Sequence, residues 1–170
     1  MTTTDIVKTP MQYLDKAMGS LRDLGLLPQK TEEAPIVGLL ERITDLEPDK
    51  IAVINPNREP LSYGELAHRV ICWAARLAES GVGAGTPVGL CAQGEFAVPV
   101  GFLVILAAGG VVVPLDPSLP DERLRVIADG VGCRLVLVGD KASPGLPPQL
   151  TRLDLTGTPD ASPALALASD

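Results

Sequence analysis

The sequence predicts a layered α/β fold, a mostly parallel sheet with helices on both faces. Three observations carry this expectation. Strand-like and helix-like stretches alternate from Ile51 to Val138; the run Leu135-Val136-Leu137-Val138 is apolar throughout; and 17 Gly and 16 Pro among 170 residues supply many turns. Strands separated by helices join in parallel through crossovers. A strand with no polar face is buried on both sides. Abundant Gly and Pro argue against a helix bundle and for short elements between turns.

The chain opens with a stretch that stands apart from this alternation. Met11, Leu14, Met18, Leu21 and Leu24 fall at helical spacing, Gly25 and Pro28 close the pattern, and Lys30 to Pro35 is polar. Residues 1–35 are therefore expected to hold one amphipathic helix and a linker, either resting on the domain or docking another protein. Residues 36–170 form the second unit.

Within that unit, Ile36 to Ile43 reads as a helix and Ile51 to Ile54 as a short strand. Asn55-Pro56-Asn57-Arg58 supplies a turn, and a hairpin with Pro60-Leu61 follows. Ser62 with Glu65 three residues later forms a capping box, in which each side chain reaches a backbone N–H that the helix leaves open. Leu66, Val70, Ile71, Ala74, Leu77 and Ala78 line one face of this helix. Arg69, Arg76 and Glu79 are expected to face water, and Gly81 ends it. Strand Val88 to Ala92, helix Glu95 to Ala108, strand Val111 to Leu115, helix Asp121 to Asp129 and strand Arg134 to Val138 complete the alternation. Beyond Gly139 prolines punctuate two short apolar stretches, Leu153-Asp154-Leu155 and Ala164 to Leu167.

The 20 residues from Phe96 to Leu115 carry no charge, which is the length of a membrane span. Pro99, Gly101, Gly109, Gly110 and Pro114 interrupt the run, and no flanking Lys or Arg anchors it. A buried helix, a Gly-Gly break and a buried strand Val111-Val112-Val113 fit better.

With 14 Lys+Arg against 21 Asp+Glu the formal charge is −7, and no basic stripe interleaved with aromatics is present, so nucleic acid is a poor partner. Cys72, Cys91 and Cys133 are widely spaced without CxxC and read as buried reduced thiols of a cytoplasmic protein. Met1 to Lys8 offers no secretory leader.

Candidate chemistry is sparse. Gly81-Val82-Gly83-Ala84-Gly85-Thr86 is glycine-rich but follows a helix and leads into a strand, the reverse of a phosphate-binding loop, so it reads as a helix stop and turn. His68, the single histidine, lies outside the apolar stripe of its helix and reads as solvated. Asp116 before Pro117 reads as a turn former whose carboxylate takes backbone N–H groups. No catalytic, cofactor-binding or metal-binding residue is assigned.

Three stretches are more specific. Leu61-Ser62-Tyr63-Gly64-Glu65-Leu66 resembles the LTYxEL element of adenylation domains of nonribosomal peptide synthetases, within the adenylate-forming superfamily. Leu106 to Pro117 resembles the LKAGxAYxPLDP element, with Ala107 where Lys is usual and Val112 where an aromatic is usual. Pro120-Asp121-Glu122-Arg123-Leu124 is similar to the PxERL that follows, and Pro48 to Val53 to the usual lead-in.

The resemblance implies that residues 36–170 are a partial N-terminal adenylation subdomain, part of an ATP-dependent, AMP-forming ligase that activates amino-acid or acyl carboxylates. Ala161 to Asp170 looks like the strand leading into the family's TSGSTG phosphate loop. ATP and Mg²⁺ are thus expected for the full-length family and no cofactor for this chain, which is expected to be inactive alone. The expected partner is the remainder of an adenylation domain or another assembly-line protein. A non-catalytic interaction module and one half of a split enzyme are the alternatives, and an open sheet edge near Ala164 to Ala168 would promote self-association.

Overall fold

In the computed structural model the described residues are 23, 35–54, 59–94, 96–139, 145–155 and 157. The expected leading helix, the turn at residues 55–58, Glu95 and the stretch Ala161 to Asp170 lie outside them, apart from Asp23. Chain order is α1 (Pro35–Leu46), β1 (Ile51–Val53), β2 (Leu61–Ser62), α2 (Tyr63–Glu79), β3 (Pro87–Cys91), α3 (Ala97–Ala107), β4 (Val111–Pro114), α4 (Asp121–Gly130), β5 (Leu135–Val138) and β6 (Thr151–Asp154).

β1 and β2 pair antiparallel, Ile51 opposite Ser62 and Val53 opposite Leu61, as the hairpin reading expects. The other four strands form a sheet in the order β4-β3-β5-β6, every pair parallel. β6 is a strand that the sequence pattern does not announce. Its residues mix Thr, Arg, Leu and Asp, yet the Thr151 N–H donates to the Arg134 carbonyl and the Leu155 N–H to that of Val138, which seats it on β5.

Alternation along the strands separates two cores. Val88, Leu90, Leu135 and Leu137 face one way, into a cluster with Leu40 of α1, Leu66, Val70 and Leu77 of α2, and Val100 and Val104 of α3. Cys91, Val136 and Val138 face the other way, toward Leu124 and Ala128 of α4 together with Leu146 and Leu150. Helices therefore cover both faces, as expected, and β5 is buried on both. The expectation for β4 needs correction: Val113 is buried, but Val111 is 49% exposed. Both point to the same face, where the cluster around Leu124 and Ala128 of α4 takes in Val113 but does not reach back to the start of the strand.

The helix ends share one device. In α2, α3 and α4 a glycine with positive φ (Gly81, Gly109, Gly132) follows the last turn, and its N–H and the next N–H fold back onto the carbonyls of that turn. Each helix is thereby stopped and redirected into the strand beside it. The N-terminus of α2 carries the expected capping box, with Glu65 N–H to Ser62 Oγ at 3.2 Å and Ser62 N–H to Glu65 Oε2 at 2.8 Å. None of the described helices is long and apolar enough to cross a membrane.

Candidate functional site

Strand order fixes where a ligand would lie. From β3 the chain crosses through α3 to β4 on one side, then through α4 back past β3 to β5 on the other. Open α/β sheets bind ligands outside the carboxyl ends of the strands at such a reversal. Here the reversal falls between Cys91 of β3 and Val138 of β5. Ala92, Gln93 and Gly94 leave β3 at this point, Gly139 leaves β5, and Phe96 and Ala97 begin α3.

Small residues meet at this reversal. The Gly139 N–H donates to the Cys91 carbonyl at 3.1 Å, and a Cβ on Gly139 would lie 2.9 Å from the Cβ atoms of both Ala92 and Ala97. Gly139 packs directly on the methyl groups of Ala92 and Ala97, so any larger residue at 139 would push the strand end and the helix start apart. Gln93 and Gly94 beside them are exposed. Phe96 occupies the N-cap of α3 and gives the helix no side-chain acceptor, while its ring lies beneath the Arg69 guanidinium, 5.6 Å from centroid to carbon.

Sequence pattern does not bring Gln93, Gly94, Phe96 and Gly139 together. The signal that finds them is strand order, which local pattern does not contain.

The residues that the sequence does single out lie elsewhere. The glycine run of residues 81–86 spends five of its six amides internally. The Gly81 and Val82 N–H groups cap α2, Gly83 N–H donates to Thr86 Oγ1 at 3.1 Å, and Gly85 N–H to the Gly109 carbonyl at 3.0 Å. The run is a helix stop and turn, as expected. Asp116 takes the Ser118 N–H on Oδ1 at 2.8 Å, and this hydrogen bonding holds its carboxyl below the usual range. It too forms the expected turn.

His68 departs from its expected place in solvent. It is half-buried, with its ring nitrogens 3.8 and 4.0 Å from the Cys72 sulfur, and burial lowers its pKa, reinforced by the Arg69 charge. Residues outside the apolar stripe of α2 are buried as well, Cys72 and Ala75 among them, because α1 and α3 both pack on this helix. Arg69 and Arg76, expected to face water, lie instead over the rings of Phe96 and Trp73. All three cysteines are buried and none is joined in a disulfide; burial pushes the Cys72 thiol up to about 11, so it is a poor nucleophile at neutral pH. Among the described residues, no group of three His, Cys, Asp or Glu side chains is placed to hold a metal ion.

The motif around α3 and β4 explains itself structurally. Gly109 has φ +80°, and a Cβ there would lie 3.3 Å from the Ala84 amide nitrogen; a Cβ on Gly110 would lie 3.2 Å from the Thr86 carbonyl. The Gly-Gly pair is the place where the α3 cap and the turn after α2 touch. Ala107, where the resembling element has Lys, is buried against the larger core.

Comparison with known proteins adds the family. The family described as "AMP-binding enzyme" matches residues 40–167. The chain belongs to that family. It is 40% identical over 102 residues to a linear gramicidin synthase of Brevibacillus parabrevis, a match covering 60% of this chain and 2% of that protein. It is 38% identical over 121 residues to the AMB antimetabolite synthetase AmbB of Pseudomonas aeruginosa, covering 69% of this chain and 10% of that one. Among solved structures, an artificially fused adenylation-PCP di-domain synthetase, NpsA-ThdA from Klebsiella oxytoca, superposes with a TM-score of 0.62 at 21% identity, over 71% of this chain and 22% of that one. The last likeness shows the fold. The chain spans only 2% and 10% of the length of the first two relatives.

Proposed function

We propose that residues 36–170 are a scaffold portion of the N-terminal subdomain of a carboxylate-activating, AMP-forming adenylation domain, inactive alone, with residues 1–35 a separate leader. The observation that carries this reading is the use made of the motif Leu106 to Pro117. Its glycines hold α3 against the turn after α2, Leu115 is buried against α4, and the Asp116 carboxylate is engaged by Ser118. Every polar feature named there serves architecture.

ATP is the nucleotide that the family implies for the whole enzyme. The internal use of the Gly81, Val82, Gly83, Gly85 and Thr86 amides supports the reading that this portion does not itself cradle the triphosphate. What these residues supply is the wall at the ends of β3 and β5. The partner is the remainder of an adenylation domain within a larger synthetase, and three reduced buried thiols suit the cytoplasm.

The test is carboxylate-dependent exchange of labelled pyrophosphate into ATP. The 170-residue chain alone is expected to give the no-enzyme rate with every amino acid and aryl acid tried. Exchange above that rate by this chain alone would sink the proposal; exchange that appears only when the remainder of an adenylation domain is co-expressed would support it.

A further inference from the structure

α1 carries more apolar surface than the described fold covers. Val37, Leu40 and Thr44 are buried, whereas Ile36, Leu39 and Leu46 are 50%, 54% and 78% exposed, with Ile43 half-buried between them. At about 100° per residue the outward group forms one stripe, centred about 110° from the inward group and about 15 Å long. Isolated exposed apolar residues need no explanation, but a continuous stripe on one helix does.

We propose that this stripe is the docking face for the chain's own residues 11–21, laid antiparallel on α1 as a helix. Register selects that occupant. Ile36, Leu39, Ile43 and Leu46 are spaced by 3, 4 and 3 residues, and so are Met11, Leu14, Met18 and Leu21. Run antiparallel, Met11 faces Leu46, Leu14 faces Ile43, Met18 faces Leu39 and Leu21 faces Ile36, with no slip anywhere along the pair. Residues 22–34 join the two, and a link of that length readily spans the 8–10 Å that separates packed helices. Being tethered, the segment meets the stripe at a millimolar effective concentration, which favours it over a second copy at ordinary protein concentrations.

A second observation agrees. Asp23 is helical and exposed in the structure. Continued at helical spacing from Met11, it falls about 160° from the centre of the Met11-Leu14-Met18-Leu21 stripe, on the side that docking leaves in water. The inference concerns the leader and α1 and stands apart from the carboxylate-activation reading.

Mild oxidation of the full chain carrying Met18→Cys with Leu39→Cys tests it at micromolar concentration. The native cysteines are buried and do not compete. The expected result is a disulfide within one chain, seen as a monomer of unchanged mass on non-reducing analysis and mapped by digestion. The pair Lys16→Cys with Leu39→Cys, whose first member lies on the opposite helix side, is expected to close at least tenfold more slowly. Equal rates for the two pairs, no bond, or a bond between chains overturns the proposal, the last in favour of a second copy.

Hydrogen exchange gives an independent reading. Amides of residues 11–21 are expected to be protected in the native chain and to exchange at least tenfold faster in L39D/L46D, while those of α2 are unchanged. Native amides without protection, or protection that these two charges leave intact, overturns it.

Discussion

On one face of the sheet Val88, Leu90, Leu135 and Leu137 meet three helices; on the other, Cys91, Val136 and Val138 meet α4 and the short segment holding Leu146 and Leu150. The same strands serve both faces, so backbone pairing cannot be the source of the difference. Coverage is. α2 is 17 residues long and buried on nearly every side, whereas α4 is ten residues long and buries only Leu124 and Ala128, with Val126 about half exposed. A ten-residue helix has little stability of its own in water and depends on the few side chains that hold it to the sheet. The larger face should therefore behave as the cooperative core and the smaller one as the part that opens first.

The largest effect is expected at Leu77, which is fully buried between α2 and the sheet. Leu77→Ala removes a side chain that the close-packed surroundings cannot replace and should cost about 3–5 kcal/mol, by analogy with core Leu truncations. Urea unfolding should show the whole transition moved to lower denaturant, with exchange accelerated in α2, α3 and β3 together. On the smaller face Leu124→Ala should cost about 2–3 kcal/mol. Its mark is locality: exchange should accelerate in α4 while α2 keeps its protection. Equal, global acceleration in both variants would show that the two faces form one cooperative unit and would break the comparison.

How far sequence alone reaches follows the same division. Leu135 to Val138 is legible as doubly buried because four consecutive apolar, β-prone residues leave no polar face. The capping box at Ser62 is legible because its chemistry is local. β6 is not, since Thr151-Arg152-Leu153-Asp154 has no run of apolar residues and becomes a strand by pairing with β5. The exposure of Val111 reflects how far the cluster around α4 reaches along the face that Val111 shares with Val113, which local pattern does not contain. The meeting of the strand ends at Cys91 and Gly139 depends on strand order: each residue is ordinary, and only the crossing of α3 and α4 in opposite directions brings them to one point. His68 escapes the pattern for a related reason, because a helical stripe measures one contact and α2 makes two.

A smaller effect sharpens the contrast at the start of α2. The Ser62 hydroxyl accepts the Glu65 N–H, and the Glu65 carboxylate in turn accepts the Ser62 N–H. Ser62→Ala should cost about 1 kcal/mol, and Glu65→Ala should add little once Ser62 is gone, since the two bonds close one box. Additive losses in the double variant would mean that the bonds act separately. Because this cap stabilises the helix of the larger core, the loss should appear as a shift of the global unfolding midpoint.

The smallest effect is a pH dependence that belongs to the larger face alone. Burial, with the neighbouring Arg69 charge acting in the same direction, holds His68 below the ordinary imidazole value in the folded chain. In the unfolded chain it titrates near that ordinary value, about 6.5. Between the two values the unfolded chain binds more protons, so stability rises with pH across that window. The stabilisation is complete above about pH 6.5 and is lost as pH falls through the folded pKa. Asp116, whose carboxyl is lowered by Ser118, acts in the same direction but only near and below the ordinary carboxylate value of about 4, so the windows are separate. Urea midpoints at pH 7.5 and pH 5.5 isolate the histidine: the native chain should lose stability between them, and His68→Gln should lose less. An identical loss in both would mean that His68 is as well solvated in the folded chain as in the unfolded one, and that the packing of α1 and α3 around α2 does not reach its far side.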